Sequence, residues 1–319
     1  MGLSLAAYID ELHERSDLIW PNPPAIVPMK VTPSLKPLPG IKAVTWSVYG
    51  TLLQIEQGVL LHHHEQEIRM QIALEKTIKE FNMWNSMTRR KGQPWEGMLI
   101  IYNRIREDLG MVSSKQKGDF PEVDSAQIWK KVIGKLELKE YTYDQGKYGD
   151  VDDFAAKIAY FFHASLQGAE AVKGSRDTLA HLTDAGIRQG LIADGQVFTI
   201  PQLLHALKHQ GSFASLAEVL SASLMTISYQ QKIRKPSPSL YRSAKESFKK
   251  IGIQPEEVLH VSHRLKDDLA VAKKIGFRTA LFAADKSACK VTASDVRDPE
   301  MKPDRLISEI AQVRDILQV

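Results

Sequence analysis

Four short stretches carry the side chains with the most chemical potential. Ser47-Val48-Tyr49-Gly50-Thr51 offers a hydroxyl and a phenol at a turn, and Ala193-Asp194-Gly195 offers a carboxylate before a turn. Lys235-Pro236 offers an ammonium, and Ser262-His263 runs on to Asp267 and Asp268. Serine, imidazole and carboxylate are the parts of a hydrolase in which histidine takes the serine proton and the acid orients the histidine. If Ser47 and His263 meet, Asp267 or Asp268 is the orienting acid. The plainer alternative is a hydroxyl and an imidazole that bond to each other and do no chemistry. Lys235 either attracts an anion, with backbone amides near Tyr49 and Gly50, or is neutralised by Asp268 or Asp194. Asp194 also reads as a turn residue ahead of Gly195.

His62-His63-His64 invites a metal reading, but consecutive helix positions point about 100° apart and share no ligand face. An exposed helix start is the expectation there, and no metal site is expected. The single cysteine, Cys289, excludes an internal disulfide and a cysteine-rich metal site. Trp84, Trp95, Tyr102, Trp129 and Tyr160 are expected to pack a helical core, with one or two left to line a lid.

The elements that hold these stretches follow from periodicity. Leu3, Ala6, Tyr8, Ile9 and Leu12 recur at helical spacing. Pro21, Pro23, Pro24, Pro28, Pro33, Pro37 and Pro39 then make an extended segment that either packs as an arm or hangs free. Residues 42 to 47 read as a buried strand. From 56 to 168 helical patterns dominate, through Ile68, Ile72, Leu74, Ile78 and Phe81 and later Phe154, Ile158, Phe161 and Phe162, and no strand is expected. After Gly174 strands and helices alternate. Strands are expected over 189–193, 224–228, 258–262 and, last, 279–282. Helices are expected from Ser175 as cap to Gly186, over 200–208, from Ser237-Pro238, and up to Gly276. Ile307, Ile310, Val313 and Leu317 close the chain as an amphipathic helix. Strands separated by single helices predict an α/β fold with a Rossmann-like parallel sheet covered on both faces. The expected division is an arm (1–40), a core (41–55 and 169–319) and an inserted helical cap (56–168).

With 319 residues, 43% hydrophobic and 25% charged, the chain has the composition of a soluble globular protein. A net charge of +4, with short clusters such as Arg89-Arg90-Lys91 and Lys249-Lys250, argues against a nucleic-acid partner. There is no signal-peptide pattern and no apolar run of membrane-spanning length, so the expectation is a cytoplasmic protein without a membrane partner.

In an open parallel sheet, ligands bind at the carboxyl ends of the strands, and all four stretches fall there. Their order and spacing resemble the haloacid dehalogenase (HAD) superfamily. Tyr49-Gly50-Thr51-Leu52 is similar to the second half of its first motif, Lys235-Pro236 to its lysine motif, and His263 to Asp268, with Gly276-Phe277 beyond, to its acidic fourth motif. The resemblance spans roughly residues 41 to 285 and implies the HAD fold, with a helical cap inserted between the first two motifs. It implies site positions at Ser47, Tyr49, Lys235, His263 and Asp268, and anion contacts at Gly50, Thr51, Ala193, Asp194 and Lys235. Yet the family's nucleophilic aspartate falls on Ser47, its second-motif Ser/Thr on Ala193, and the first acid of its fourth motif, which helps hold Mg²⁺ in phosphatase members, on His263.

A carboxylate is ionised at neutral pH and attacks directly, whereas a serine hydroxyl must be given a base. Losing the nucleophile costs on the order of 10⁴ to 10⁶ in rate in comparable enzymes. Two expectations follow. One is a HAD-fold protein with little hydrolysis, keeping a cleft for a small anion or acting on a protein partner through its cap or proline-rich arm. The other is a hydrolase of a small phosphate ester or haloacid with an atypical site, in which Tyr49 supports and Lys235 stabilises charge. No cofactor is expected in the first case, and Mg²⁺ in the second.

Overall fold

The computed structural model describes residues 2–87, 92–112, 116–212 and 215–319; Arg89-Arg90-Lys91 lies outside them. Helix α1 (Leu5–Glu14), capped by the Ser4 side chain, buries Tyr8, Ile9 and Leu12. Burial of that kind contributes about 1.5–3 kcal/mol per large apolar side chain. The proline-rich segment that follows is a packed arm. It bridges to the core at Pro28–Asp285 and Ser34–Leu306, and the Leu38 amide donates to the Ile316 carbonyl.

Strand β1 (Ala43–Trp46) has every residue buried, as a strand in the middle of a doubly covered sheet must. A short β2 (Leu53–Ile55) leads into the insert. There α2 (Glu67–Glu80), α3 (Pro94–Gly110), α4 (Ser125–Glu137), α5 (Gln145–Tyr148) and α6 (Val151–Leu166) pack around an aromatic centre of Tyr102, Trp129, Phe154, Phe161 and Phe162. On α2 the buried face is Met70, Ala73, Leu74, Thr77 and Ile78. Ile68 and Ile72, expected inside, face solvent. Trp84 is likewise exposed, while Trp95, Tyr102, Trp129 and Tyr160 are buried.

The insert also holds a strand that the pattern did not announce. β3 (Phe120–Pro121) is two residues long and pairs antiparallel with β7 (Ile233–Arg234) of the core. Two residues are too few to show a period, so only the pairing reveals them.

The core continues through β4 (Ala169–Ala171), α7 (Ser175–Asp184), β5 (Arg188–Ala193), α8 (Thr199–Lys208), β6 (Met225–Ile227), α9 (Ser228–Gln231) and β7. It ends with α10 (Pro238–Lys249), β8 (Val258–Ser262), α11 (Ala270–Ile275), β9 (Arg278–Phe282), β10 (Arg305–Ile307) and α12 (Gln312–Leu317). Ser175 is the first helical residue of α7, and the cap position is Gly174, in the left-handed region. β9 is not the last strand. Ile307, expected on the closing helix, lies on β10 at the sheet edge.

The six-stranded sheet is parallel, in the order β10-β9-β8-β1-β5-β6. The chain grows from β1 to one side through β5 and β6, then returns to the other side of β1 with β8. This reversal opens a crevice at the carboxyl ends of β1, β5 and β8, where an α/β sheet places its ligand.

Candidate functional site

The crevice is a cavity of about 500 Å³, within the usual range for a small-molecule pocket. The core contributes Ser47 and Tyr49 after β1, Asp194 and Gln196 after β5, Arg234 on β7, and His263 and Arg264 after β8. The insert contributes Leu60 to His62, Arg106 from α3, and Glu122 just past β3. Gln196 ties the two parts: its side chain accepts from the Ser125 amide at 2.8 Å and donates to the Val123 carbonyl at 3.0 Å.

Ser47 lies over a closed polar network. Its hydroxyl accepts from Lys235 Nζ at 3.3 Å. The same ammonium forms an ion pair with Asp268. Asp268 sits on a π-type turn (Leu265–Leu269) between β8 and α11. It also receives the Tyr241 hydroxyl at 2.8 Å and His260 Nε2 at 2.7 Å. His260 faces Thr45 across the β1–β8 ladder, and its Nδ1 lies 2.9 Å from Thr45 Oγ1. Burial alone would raise the Asp268 carboxyl, but Lys235 and His260 hold it well below the usual carboxylate range. Burial pushes the Tyr241 hydroxyl well up, so it stays a donor.

The Ser-His-Asp arrangement does not form. His263 Nδ1 is 3.3 Å from Thr51 Oγ1, its Nε2 has no hydrogen-bond partner among the described residues, and Asp268 serves His260 instead. Asp267 pairs with Arg264. The His263 ring is wedged between the backbones of Gly50 and Gly58. A Cβ on either glycine would come within 2.5 Å of it. Burial, with Arg264 adding, depresses its pKa to about 3, so the ring is neutral.

Of the backbone amides expected to hold an anion near Tyr49 and Gly50, those of Gly50 and Thr51 are spent inside the turn. Gly50 N donates to Leu53 O at 2.7 Å and Thr51 N to Val48 O at 3.1 Å. Gly195 N donates to Ser228 Oγ, and Gln196 N to Thr199 Oγ1. Ala193, Thr51, Lys235 and Asp268 are fully or almost fully buried and do not line the cavity. Asp194 holds the Lys235 amide at 2.8 Å and Arg264 at 2.9 Å, so it is a structural acceptor rather than the Lys235 counter-ion. Tyr49 lines the cavity, but its hydroxyl points to Thr199 (3.1 Å) and Gln202 (2.7 Å).

Apart from Asp194, the cavity charges come from residues that the motifs did not flag. Arg106, Arg234 and Arg264 face Asp194, Glu107 and Glu122. Glu107 is 3.8 Å from Arg106, and Arg234 has no ion-pair partner among the described residues. Burial, reinforced by Asp194, pushes the Glu122 carboxyl up to about 7. Below that pH Glu122 is neutral and the arginines outnumber the carboxylates by one. His62 lines the same wall, depressed to about 4 by burial and by Arg106 and Arg234. His62 to His64 lie in a loop ahead of α2 rather than on an exposed helix, and His64 is buried.

A model of the haloacid dehalogenase-like hydrolases matches residues 41–276, well over half of the chain. The chain belongs to this family. Among curated relatives, glyceraldehyde 3-phosphate phosphatases match it. The protein from Pyrococcus furiosus is 26% identical over 51% of this chain and 61% of its own length. The one from Pyrococcus abyssi is 28% identical over 40% of this chain and 49% of its own length. The chain thus aligns with less than two thirds of each. The crystal structure of 2-haloacid dehalogenase from Pseudomonas syringae superposes with a TM-score of 0.54 at 18% identity, covering 87% of this chain and 98% of that one, a likeness of fold.

The Mg²⁺ of phosphatase members of the HAD family does not fit the side chains present here. That ion requires near-octahedral oxygen ligation. Ser47 Oγ sits against an ammonium, His263 presents an imidazole, and the Asp268 oxygens are taken by Lys235, Tyr241 and His260. Among the described residues no group of three His, Cys, Asp or Glu side chains is placed to hold an ion.

Proposed function

We propose that this HAD-fold chain binds a small phosphorylated or carboxylated metabolite in the cleft between sheet and insert, without hydrolysing it at a significant rate. The observation that carries this is the state of Ser47 and Asp268. The residue at the nucleophile position is a hydroxyl hydrogen-bonded to Lys235, and the neighbouring carboxylate is engaged by three donors. Among the described residues no base is hydrogen-bonded to Ser47: its recorded partner is Lys235, and a lysine ammonium is a donor only. With the Gly50 and Thr51 amides engaged in the turn, recognition rests on Arg106, Arg234 and Arg264. Guanidinium groups match the oxygens of phosphate and carboxylate bidentately.

One observation favours the hydrolase alternative. Glu122 lines the cleft with a carboxyl near pH 7, where it can exchange protons with a substrate. Thermal unfolding with inorganic sulfate and glyceraldehyde 3-phosphate, beside an assay for released phosphate, separates the two. Binding predicts a rise in Tm with added ligand, no phosphate released, and loss of the rise in Arg234→Ala. Phosphate released by the wild type but not by Glu122→Gln would establish the hydrolase.

A further inference from the structure

A second cavity, of about 390 Å³, lies between α1, α6 and α8 and shares no lining residue with the cleft. His205 and His209 line it, four residues apart at the end of α8 and therefore on one helix face. Their Nε2 atoms are 3.3 Å apart. Two imidazole nitrogens bound tetrahedrally to one zinc ion, each at about 2.0–2.1 Å, stand about 3.3 Å from one another.

We propose that His205 and His209 form a site for a divalent transition ion of the zinc type. His205 Nδ1 lies 2.8 Å from Asp10 Oδ1, and Lys208 holds the other oxygen of Asp10 at 2.7 Å. With its Nδ1–H given to the carboxylate, His205 turns a lone pair at Nε2 toward His209. A carboxylate behind a ligating histidine fixes both tautomer and ring orientation. His13 supports the pair rather than joining it. Its ring lies against that of His205 (centroids 4.3 Å apart, 30° between planes), and its Nε2 is 2.7 Å from the Tyr160 hydroxyl.

His209 is exposed, and the cavity in front of the pair, with Glu170 and Gln210 on its wall, leaves room for water ligands. No third side chain among the described residues completes a ligand group, so the ion takes two imidazoles and solvent. Imidazole donors select zinc, copper or nickel over Mg²⁺ and Ca²⁺, which require oxygen. Because Asp10 belongs to α1 and the ligands to α8, occupancy ties the N-terminal helix to the core.

Calorimetric titration of the full chain with ZnCl₂ tests this. The expected result is one Zn²⁺ per chain, no heat with MgCl₂, and loss of the site in His209→Ala, whose fold is checked by circular dichroism. Asp10→Asn is expected to weaken binding about 10- to 100-fold, while His181→Ala, away from the cavity, leaves it unchanged. No zinc binding by the wild type, or binding that survives His209→Ala, would overturn the proposal.

Discussion

The Lys235 ammonium and the Asp268 carboxylate form an ion pair with 1% and 0% of their side-chain surfaces exposed. Neither charge reaches the cleft. Asp268 also takes the Tyr241 and His260 hydrogen bonds, so its oxygens are committed to the interior. The network joins β8, α10 and the turn after β8, and through Lys235 it reaches Ser47 at the end of β1. Removing one member leaves the others charged or unpaired where water does not reach.

Asp268→Ala is therefore expected to destabilise the protein by about 3–5 kcal/mol in urea denaturation. A double substitution of Lys235 and Asp268 to apolar residues of similar volume is expected to recover much of that loss. A single substitution costing less than about 1 kcal/mol would contradict the closed network.

The same pair sets the acid limb of the stability curve. The Asp268 carboxyl is depressed in the folded state despite its burial, chiefly by Lys235 and His260. Its contribution is present above the unfolded carboxylate value, near 4, and is lost as pH falls through the lower folded value. Stability measured between pH 6 and pH 2 should fall less steeply in Asp268→Asn than in the wild type.

Glu122 works in the opposite sense. Its carboxyl, raised to about 7, is neutral in acid and charged above neutrality, opposite the arginines. Sulfate keeps its charge across this range, so its affinity should decline as pH rises through about 7. In Glu122→Gln that decline should vanish. An unchanged pH profile in the variant would show that Glu122 does not face the anion.

Gly50 has a φ of 76° and no space for a Cβ, because the His263 ring stands 2.5 Å from where it would be. Gly50→Ala is expected to cost about 1–3 kcal/mol from backbone strain and overlap. Adding His263→Ala should return the overlap part and leave the strain, so the two substitutions should be non-additive in a double-mutant cycle.

Much of the core was legible because its signals are local. The apolar run from Ala43, the Tyr49-Gly50-Thr51 turn, Lys235 ahead of a helix and Asp268 at its spacing from β8 all appear in consecutive residues. The partners of Asp268 were not legible in the same way. His260 sits within Val-Leu-His-Val-Ser and Tyr241 on the apolar stripe of α10, so neither stands out from its apolar neighbours. One signal was available: a histidine inside a strand buried on both faces must have a hydrogen-bond partner. Arg106 and Glu122 had no such signal, because long-range contacts such as the β3–β7 pairing and the Gln196 hydrogen bonds bring the insert over the strand ends. His263 shows the limit of motif matching. It lies after β8 on the cleft wall, but in the space left by Gly50 and Gly58 its ring bonds to Thr51 rather than Ser47.

The most direct test is hydrolysis of a panel of phosphate esters and haloacids, with and without Mg²⁺, by the wild type, Ser47→Ala and the double variant Ser47→Asp/His263→Asp. A cleft without a nucleophile predicts an inert wild type and Mg²⁺-dependent turnover gained by the double variant. Turnover by the wild type that Ser47→Ala abolishes would contradict it and make Ser47 the nucleophile.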